Sequence, residues 1–247
     1  MLIAAMLGAA MFAQAPRAQT PPGPTPVGPA AALPLPSANP PLDSIDERTR
    51  PCTACHGKEG RATPDGYFPR IAGKPEGYLF NQLVNFREGR RENGPMTYLV
   101  QHMSDAYLRE IAGHFASLDL PYPSAPNLPL AQAVLQRGET LALHGDAARR
   151  VPACVECHGT KLTGVAPSVP GLLGLPRDYV ISQFGAWRTG QRKAAAPDCM
   201  ARITERLTPD DIAAVAGWLA TRPLPASTKP AASITMPLPM DCGGVAR

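Results

Sequence analysis

Cys52-Thr53-Ala54-Cys55-His56 decides how the rest of the chain is read, and the same spacing returns at Cys154-Val155-Glu156-Cys157-His158. On one helical turn, Cys at i and i+3 share a side and His at i+4 follows them. Two thiols and an imidazole so placed suit two thioether bonds to haem vinyl groups and one ligand to the iron. Cys-x-x-Cys-His is the attachment signature of a covalently held c-type haem. A zinc site would require two more well-spaced Cys or His ligands per copy, and a thioredoxin-like pair a βαβ pattern around it; neither accompanies these motifs. The sequence therefore predicts two covalently bound haem c groups, attached at Cys52, Cys55, Cys154 and Cys157, with His56 and His158 on the irons.

The chain has 247 residues, 44% hydrophobic and 18% charged, with 30 Pro, 22 Gly and 6 Cys. The two motifs start 102 residues apart, so each module is small. A small chain buries too little apolar surface to fold securely alone, and a central haem supplies the missing core. The apolar run from Met1 to Ala13, with small residues at Ala13 and Ala15, reads as a secretory signal peptide of about 1–18, too short to span a membrane. Export to the periplasm is expected, with an uncleaved anchor as the alternative; no Cys precedes Cys52 to serve as a lipoprotein attachment site.

The formal charge is +4; residues 45–120 hold ten basic and ten acidic residues, and 130–222 hold eleven and eight. Without a basic stripe interleaved with aromatics, nucleic acid is excluded as a partner class. Redox proteins are the expected partners, with membrane contact only through them. The basic excess of the second module suits an acidic docking face, or is scattered charge without a role.

In chain order, residues 19–44 are crowded with Pro and Ala and read as extended. The first module is expected over 45–120. Pro75 opens a helix carrying Tyr78, Leu79, Gln82, Leu83 and Phe86, stopped by Gly89. Glu92-Asn93-Gly94-Pro95-Met96 reads as a breaker-rich loop. Ser104 caps a helix with an apolar stripe of Leu108, Ile111, Ala112 and Phe115. Residues 121–129 form a Pro-rich linker, and the second module is expected over 130–222, opening on a helix from about Leu130 to His144. An internal repeat follows: Tyr179, Gln183, Trp187, Gly190 and Arg192 stand where Tyr78, Gln82, Phe86, Gly89 and Arg91 stand in the first copy, and Pro170, Gly174 and Pro176 match Pro69, Gly73 and Pro75. Thr208-Pro209 caps a last helix with Ile212, Val215, Ala216 and Leu219. Residues 223–247 are a Pro-rich tail.

A filled sixth position on a haem iron favours electron transfer, whereas an open one binds peroxide or gas. Met96 and Met200 are the candidates, since each precedes its Ser/Thr-capped helix by eight residues. His102 and Met103 compete in the first module but face Arg206 and Leu207 in the repeat; His114 and His144 read as ordinary helix residues. Cys199 and Cys242 are left over, and in an exported protein they suggest a disulfide pinning the tail beside the second Met; free thiols or bonds between chains would look the same.

Over about 45–222 this combination resembles the di-haem class I c-type cytochromes of the cytochrome c4 family: Cys-x-x-Cys-His-Gly, a Pro-x-x-x-Gly loop, a Tyr-x-x-x-Gln helix ending in Gly-x-Arg, and Pro-Met or Cys-Met before a capped helix. The resemblance implies an all-α protein of two tandem cytochrome c domains, with His56/Met96 and His158/Met200 as axial ligands. It also implies that the Pro69 and Pro170 carbonyls orient the proximal imidazoles. Two departures stand out: the first module lacks a long N-terminal helix, and the Pro-rich ends and Cys242 lie outside the family pattern. The expected function is single-electron transfer between a respiratory donor (a dehydrogenase or quinol-oxidising complex) and a terminal oxidase or reductase, with no catalytic residue. A cytochrome subunit stably bound to such a complex is the alternative, and a di-haem peroxidase would need a polar distal acid/base group that neither Met segment supplies.

Overall fold

Ser44 accepts a hydrogen bond from Glu47 N (3.3 Å) and caps α1 (Ile45–Arg48), and Pro51 stands in the first turn of α2 (Arg50–His56), where its missing N–H costs nothing. The first motif is thus reached through two short helices. The structure is a computed structural model and describes residues 43–234 and 237–245. The predicted leader 1–18 and almost all of the segment 19–44 lie outside the described residues.

Beyond the first motif come α3 (Glu76–Arg87), α4 (Gly94–Val100) and α5 (Asp105–Ser117). The second copy runs α6 (Gln132–Leu143), α7 (Cys154–His158), α8 (Arg177–Arg188), α9 (Cys199–Thr204) and α10 (Pro209–Thr221). Two-residue strands β1 (Gly164–Val165) and β2 (Val169–Pro170) pair antiparallel and form the small exception to an all-α architecture. The stripe on α5 is buried as expected: Leu108, Ile111, Ala112 and Phe115 pack with Leu79 and Phe86 of α3, each such side chain contributing about 1.5–3 kcal/mol. Ser104 caps α5 through Tyr107 N (3.2 Å). In the second copy α10 is buried nearly all round and crosses α6 at Gly138, where an added Cβ would overlap the Ala214 carbonyl. Gly57 and Gly159, just after the motif histidines, hold φ of 75° and 83°, which turns the chain away at once and favours Gly.

Two segments differ from expectation. Residues 94–100 and 199–204 are short helices, so Met96 and Met200 stand in first helical turns rather than in loops. Asn93 accepts from Met96 N (3.1 Å) and Asp198 from Ala201 N (3.0 Å); with Pro95 in the first turn, the breaker-rich stretch is a helix start.

Both copies lie in one compact unit, Pro40–Arg247, and the repeated polar residues meet each other across their junction. Arg91 Nη1 donates to Gln82 Oε1 (2.9 Å) and Nη2 to Gln183 Oε1 (2.8 Å) and Tyr179 OH (3.3 Å). Reciprocally, Arg192 Nη1 donates to Gln183 Oε1 (2.6 Å) and Nη2 to Gln82 Oε1 (3.3 Å) and Tyr78 OH (3.4 Å). Backbone bonds from Glu92 N to Gln191 O and from Lys193 N to Arg90 O, both 2.7 Å, close the pairing. The tail returns over the molecule: Ala231 N donates to Gly164 O (2.9 Å), Lys229 pairs with Asp119 (3.0 Å), and Cys199 and Cys242 form a disulfide with Cα atoms 5.1 Å apart.

Candidate functional site

One cavity of about 820 Å³ is lined by both motifs. In the first module α2 turns Cys52, Cys55 and His56 onto its wall, and Met96 of α4 lines it as well. The second module contributes Cys154, Cys157 and His158 from α7 and Met200 from α9. Both imidazoles are buried at 8% exposure. Each Nδ1 lies 2.8 Å from a backbone carbonyl, Pro69 O for His56 and Pro170 O for His158. A carbonyl only accepts, so Nδ1 carries the proton and Nε2 is left with a free lone pair, as an iron ligand requires. Burial pushes both imidazoles below the ordinary His range; Arg91 adds to this at His56 and Lys74 at His158, while the proline carbonyls oppose it.

Among the described residues none of the four motif cysteines is in a disulfide, as thioether attachment of a haem requires.

The residues fit a haem in two further ways. Arg192 is 6% exposed and Arg91 half-buried, and among the described residues neither has a carboxylate partner. Arg192 stacks on Trp187 at 3.9 Å and Arg91 on Phe86 at 4.6 Å. Burial and the neighbouring Arg91 lower the Arg192 guanidinium; burial would raise the Tyr78 hydroxyl, but Arg192 and Arg91 outweigh it and push it down. Buried cations without counter-charge call for an anion, and haem propionates supply one. The Trp187 indole N–H is likewise buried without a partner while its ring lines the cavity. The junction residues were visible in the sequence as repeat positions; their meeting across the modules was not.

The competing ligands separate by placement. His102 and His144 are exposed, and His114 packs against Phe115 with its ring nitrogen 3.8 Å from Asp46. Met103 does line the cavity, but so does its repeat counterpart Leu207, which marks the position as packing. Met96 packs against Phe86, Val100 and Leu108, and Met200 against a cluster containing Phe184 and Leu207.

No family model matches the chain. Among curated proteins, a thiosulfate dehydrogenase electron acceptor of Thiomonas intermedia (strain K12) is 38% identical over 173 residues, 70% of this chain and 79% of the relative. A cytochrome c4 of Pseudomonas aeruginosa is 35% identical over 171 residues, 68% of this chain and 82% of the relative. The chain belongs to the cytochrome c4 family. The structure of reduced recombinant cytochrome c4 from Pseudomonas stutzeri matches the chain with a TM-score of 0.62 at 28% identity, over 72% of this chain and 96% of that one. A thiosulfate dehydrogenase (TsdBA) from Marichromatium purpuratum gives 0.62 at 32% identity, over 71% of this chain but only 37% of that one. As a member of the family, the protein binds haem c covalently at two motifs and is a di-haem electron-transfer protein rather than an enzyme.

Proposed function

We propose that residues 45–120 and 130–222 each enclose one haem c, held by Cys52, Cys55, His56 and Met96 in the first module and by Cys154, Cys157, His158 and Met200 in the second. The protein is then a periplasmic carrier that takes single electrons from a dehydrogenase or quinol-oxidising complex and passes them to a terminal oxidase or reductase. The observation that carries this reading is the placing of both methionines, at repeat-related positions, among apolar side chains on the cavity wall. When bound, haem supplies the iron(III)/iron(II) couple. The chain's residues keep the sixth position closed, hold each His as its Nδ1–H tautomer, and place Arg91 and Arg192 between the two modules. Thioether ligation raises the potential relative to harder donors.

A dehydrogenase is the favoured donor, and thiosulfate dehydrogenase its best representative, because relatives at 38% and 35% identity are named as that enzyme's electron acceptor. The predicted leader and the Cys199–Cys242 disulfide suit an oxidising, exported setting. Among the described residues no helix is long and apolar enough to cross a membrane. The resemblance to part of a thiosulfate dehydrogenase chain favours a second reading, a subunit held permanently by a dehydrogenase.

Two measurements test this. The oxidised holoprotein should show the weak red Met–iron(III) band with the intensity of two low-spin haems; one haem without it would reopen the enzyme reading. Thiosulfate with a catalytic amount of thiosulfate dehydrogenase should then reduce both haems, and an unreduced spectrum would remove that donor. Purification at native expression level separates a free carrier from a bound subunit.

A further inference from the structure

The two methionine sites are built differently. In the first module, α4 is tied to α3 by the Thr97 hydroxyl, which donates to Phe86 O at 3.1 Å, and Pro95 rigidifies its first turn. In the second, Ala201 stands where Thr97 stands and has no hydroxyl to make that tie, and Cys199 stands where Pro95 stands. The lead into α9, residues 195–197, is exposed, and a six-residue helix is not stable on its own. The Asp198 cap and the packing of Met200 and Ile203 on the second core support it from within its own module, and the tail ties it from outside. Cys242, 8% exposed, is bonded to Cys199, the residue immediately before Met200. Gly243 N donates to Pro197 O (2.9 Å), and Gly243 lies so close to the Ala196 carbonyl that a Cβ would overlap it. One residue on, Gly244 O accepts from Asn81 Nδ2 (2.9 Å) of α3, in the other module. Leu238 and residues 242–245 line the cavity alongside Met200.

We propose that the Cys199–Cys242 disulfide is the positioning element for Met200: it fastens the C-terminal tail as a strap that holds the first turn of α9 against the second haem and shuts that haem to external ligands. The first haem has no such device and does not use one. This inference rests on Met200 being an iron ligand, and the experiment separates the two.

Three variants are made as holoproteins and examined oxidised, by the red Met–iron(III) band and by uptake of imidazole. Met200→Ala should lose about half of the wild-type band, one of two Met-ligated haems; an unchanged band overturns the ligand assignment and the strap with it. Cys242→Ala should also lose about half of the band and take up one imidazole per chain, with the first haem's Met signal persisting as the internal sign of a folded protein. Cys242→Ala with the full band, and as closed to imidazole as wild type, overturns the strap while leaving Met200 a ligand. Cys199→Pro combined with Cys242→Ala recreates the Pro-Met start of the first module. Pro fits at the first position of α9, where Asp198 before it is extended at φ −81°, ψ 97°. This double variant is expected to restore the band and to exclude imidazole again.

Discussion

Lys74 breaks the symmetry between the two haem sites. Its side chain is 5% exposed, its Nζ donates to Gly171 O at 3.2 Å, and the Tyr122 ring lies 5.8 Å away. No carboxylate pairs with it among the described residues. Gly171 follows Pro170, whose carbonyl orients His158, so a cation carried by the first module sits behind the proximal ligand of the second. The repeat position holds Leu175, and the cation that acts on His56 is instead Arg91, a guanidinium at the junction of the modules. A fixed positive charge disfavours iron(III) more than iron(II). Lys74→Met should therefore lower the second haem's potential by about 50 mV, close to tenfold in a one-electron equilibrium, and move the first haem much less. A spectroelectrochemical titration that resolves two couples checks this, and two unshifted couples would exclude the role. None of this is visible in sequence: a Lys between Gly73 and Pro75 reads as a solvated loop charge, because nothing local shows that another module covers it. The motif Cys and His were legible because their spacing is local and their chemistry narrow, whereas the orienting role of the two prolines followed only from the resemblance to the family.

At the scale of elements, the α6–α10 pair carries the second module and gives two stability tests. Gly138 lets α6 approach the α10 backbone at Ala214. Gly138→Ala gains about 1 kcal/mol of helix propensity but forces a methyl onto that carbonyl at about 1–3 kcal/mol or more, and the net effect in denaturant unfolding should be destabilising. The start of α10 is tied down by Asp211, 5% exposed, whose carboxylate accepts from Arg149 Nη1 (2.6 Å), Arg137 Nε (2.8 Å) and Thr208 N (3.0 Å). Burial alone would raise this carboxyl, but hydrogen bonds from Arg149, Thr208 and Arg137 hold it well below the usual range. Asp211→Asn should cost about 2–3 kcal/mol at neutral pH. A depressed folded-state pKa gives stability that is complete above the unfolded value, near 4, and is lost as pH falls through the folded one. The wild-type and variant stability curves should therefore draw together below about pH 4; a gap constant down to pH 2 would contradict the ionised network. Long amphipathic elements such as α5 and α10 were legible because apolar period and cap agree. The sequence reads 92–96 as a loop and Met200 as a loop residue, where the helices 94–100 and 199–204 stand: Gly-Pro and Pro-Asp signal a break, and a helix of six or seven residues has too few apolar positions to show a period.

For the whole molecule, the question is what surface meets a partner. The linear count gives the second module three more basic than acidic residues, which suggested an acidic docking face. Folding redistributes that bias. Arg192 is buried in the junction, Arg137 and Arg149 are paired with Asp146 and Asp211, the exposed charges of 130–222 balance as Arg150, Lys161, Arg188, Lys193 and Arg202 against Glu139, Glu156, Asp178, Glu205 and Asp210, and the remaining excess sits on half-buried Arg177, Arg206 and Arg222 against Asp198. Chain order cannot show which cations are consumed internally, since Arg192 finds Tyr78 and Gln82 from 110 and more residues away. The first module is neutral by count and presents Tyr67 and Tyr98, 70% and 75% exposed, which suits a docking contact with little charge in it. A donor steered by a strong field reduces its acceptor 10- to 10³-fold faster at low salt, roughly. Reduction of the holoprotein by thiosulfate dehydrogenase should instead change by less than about threefold as ionic strength rises from about 0.01 M to about 0.15 M, a range over which the Debye length falls from about 30 Å to about 8 Å. Stopped-flow reduction across that series checks it; a rate that falls tenfold or more would mean that the partner reads a basic face formed by residues other than these ten.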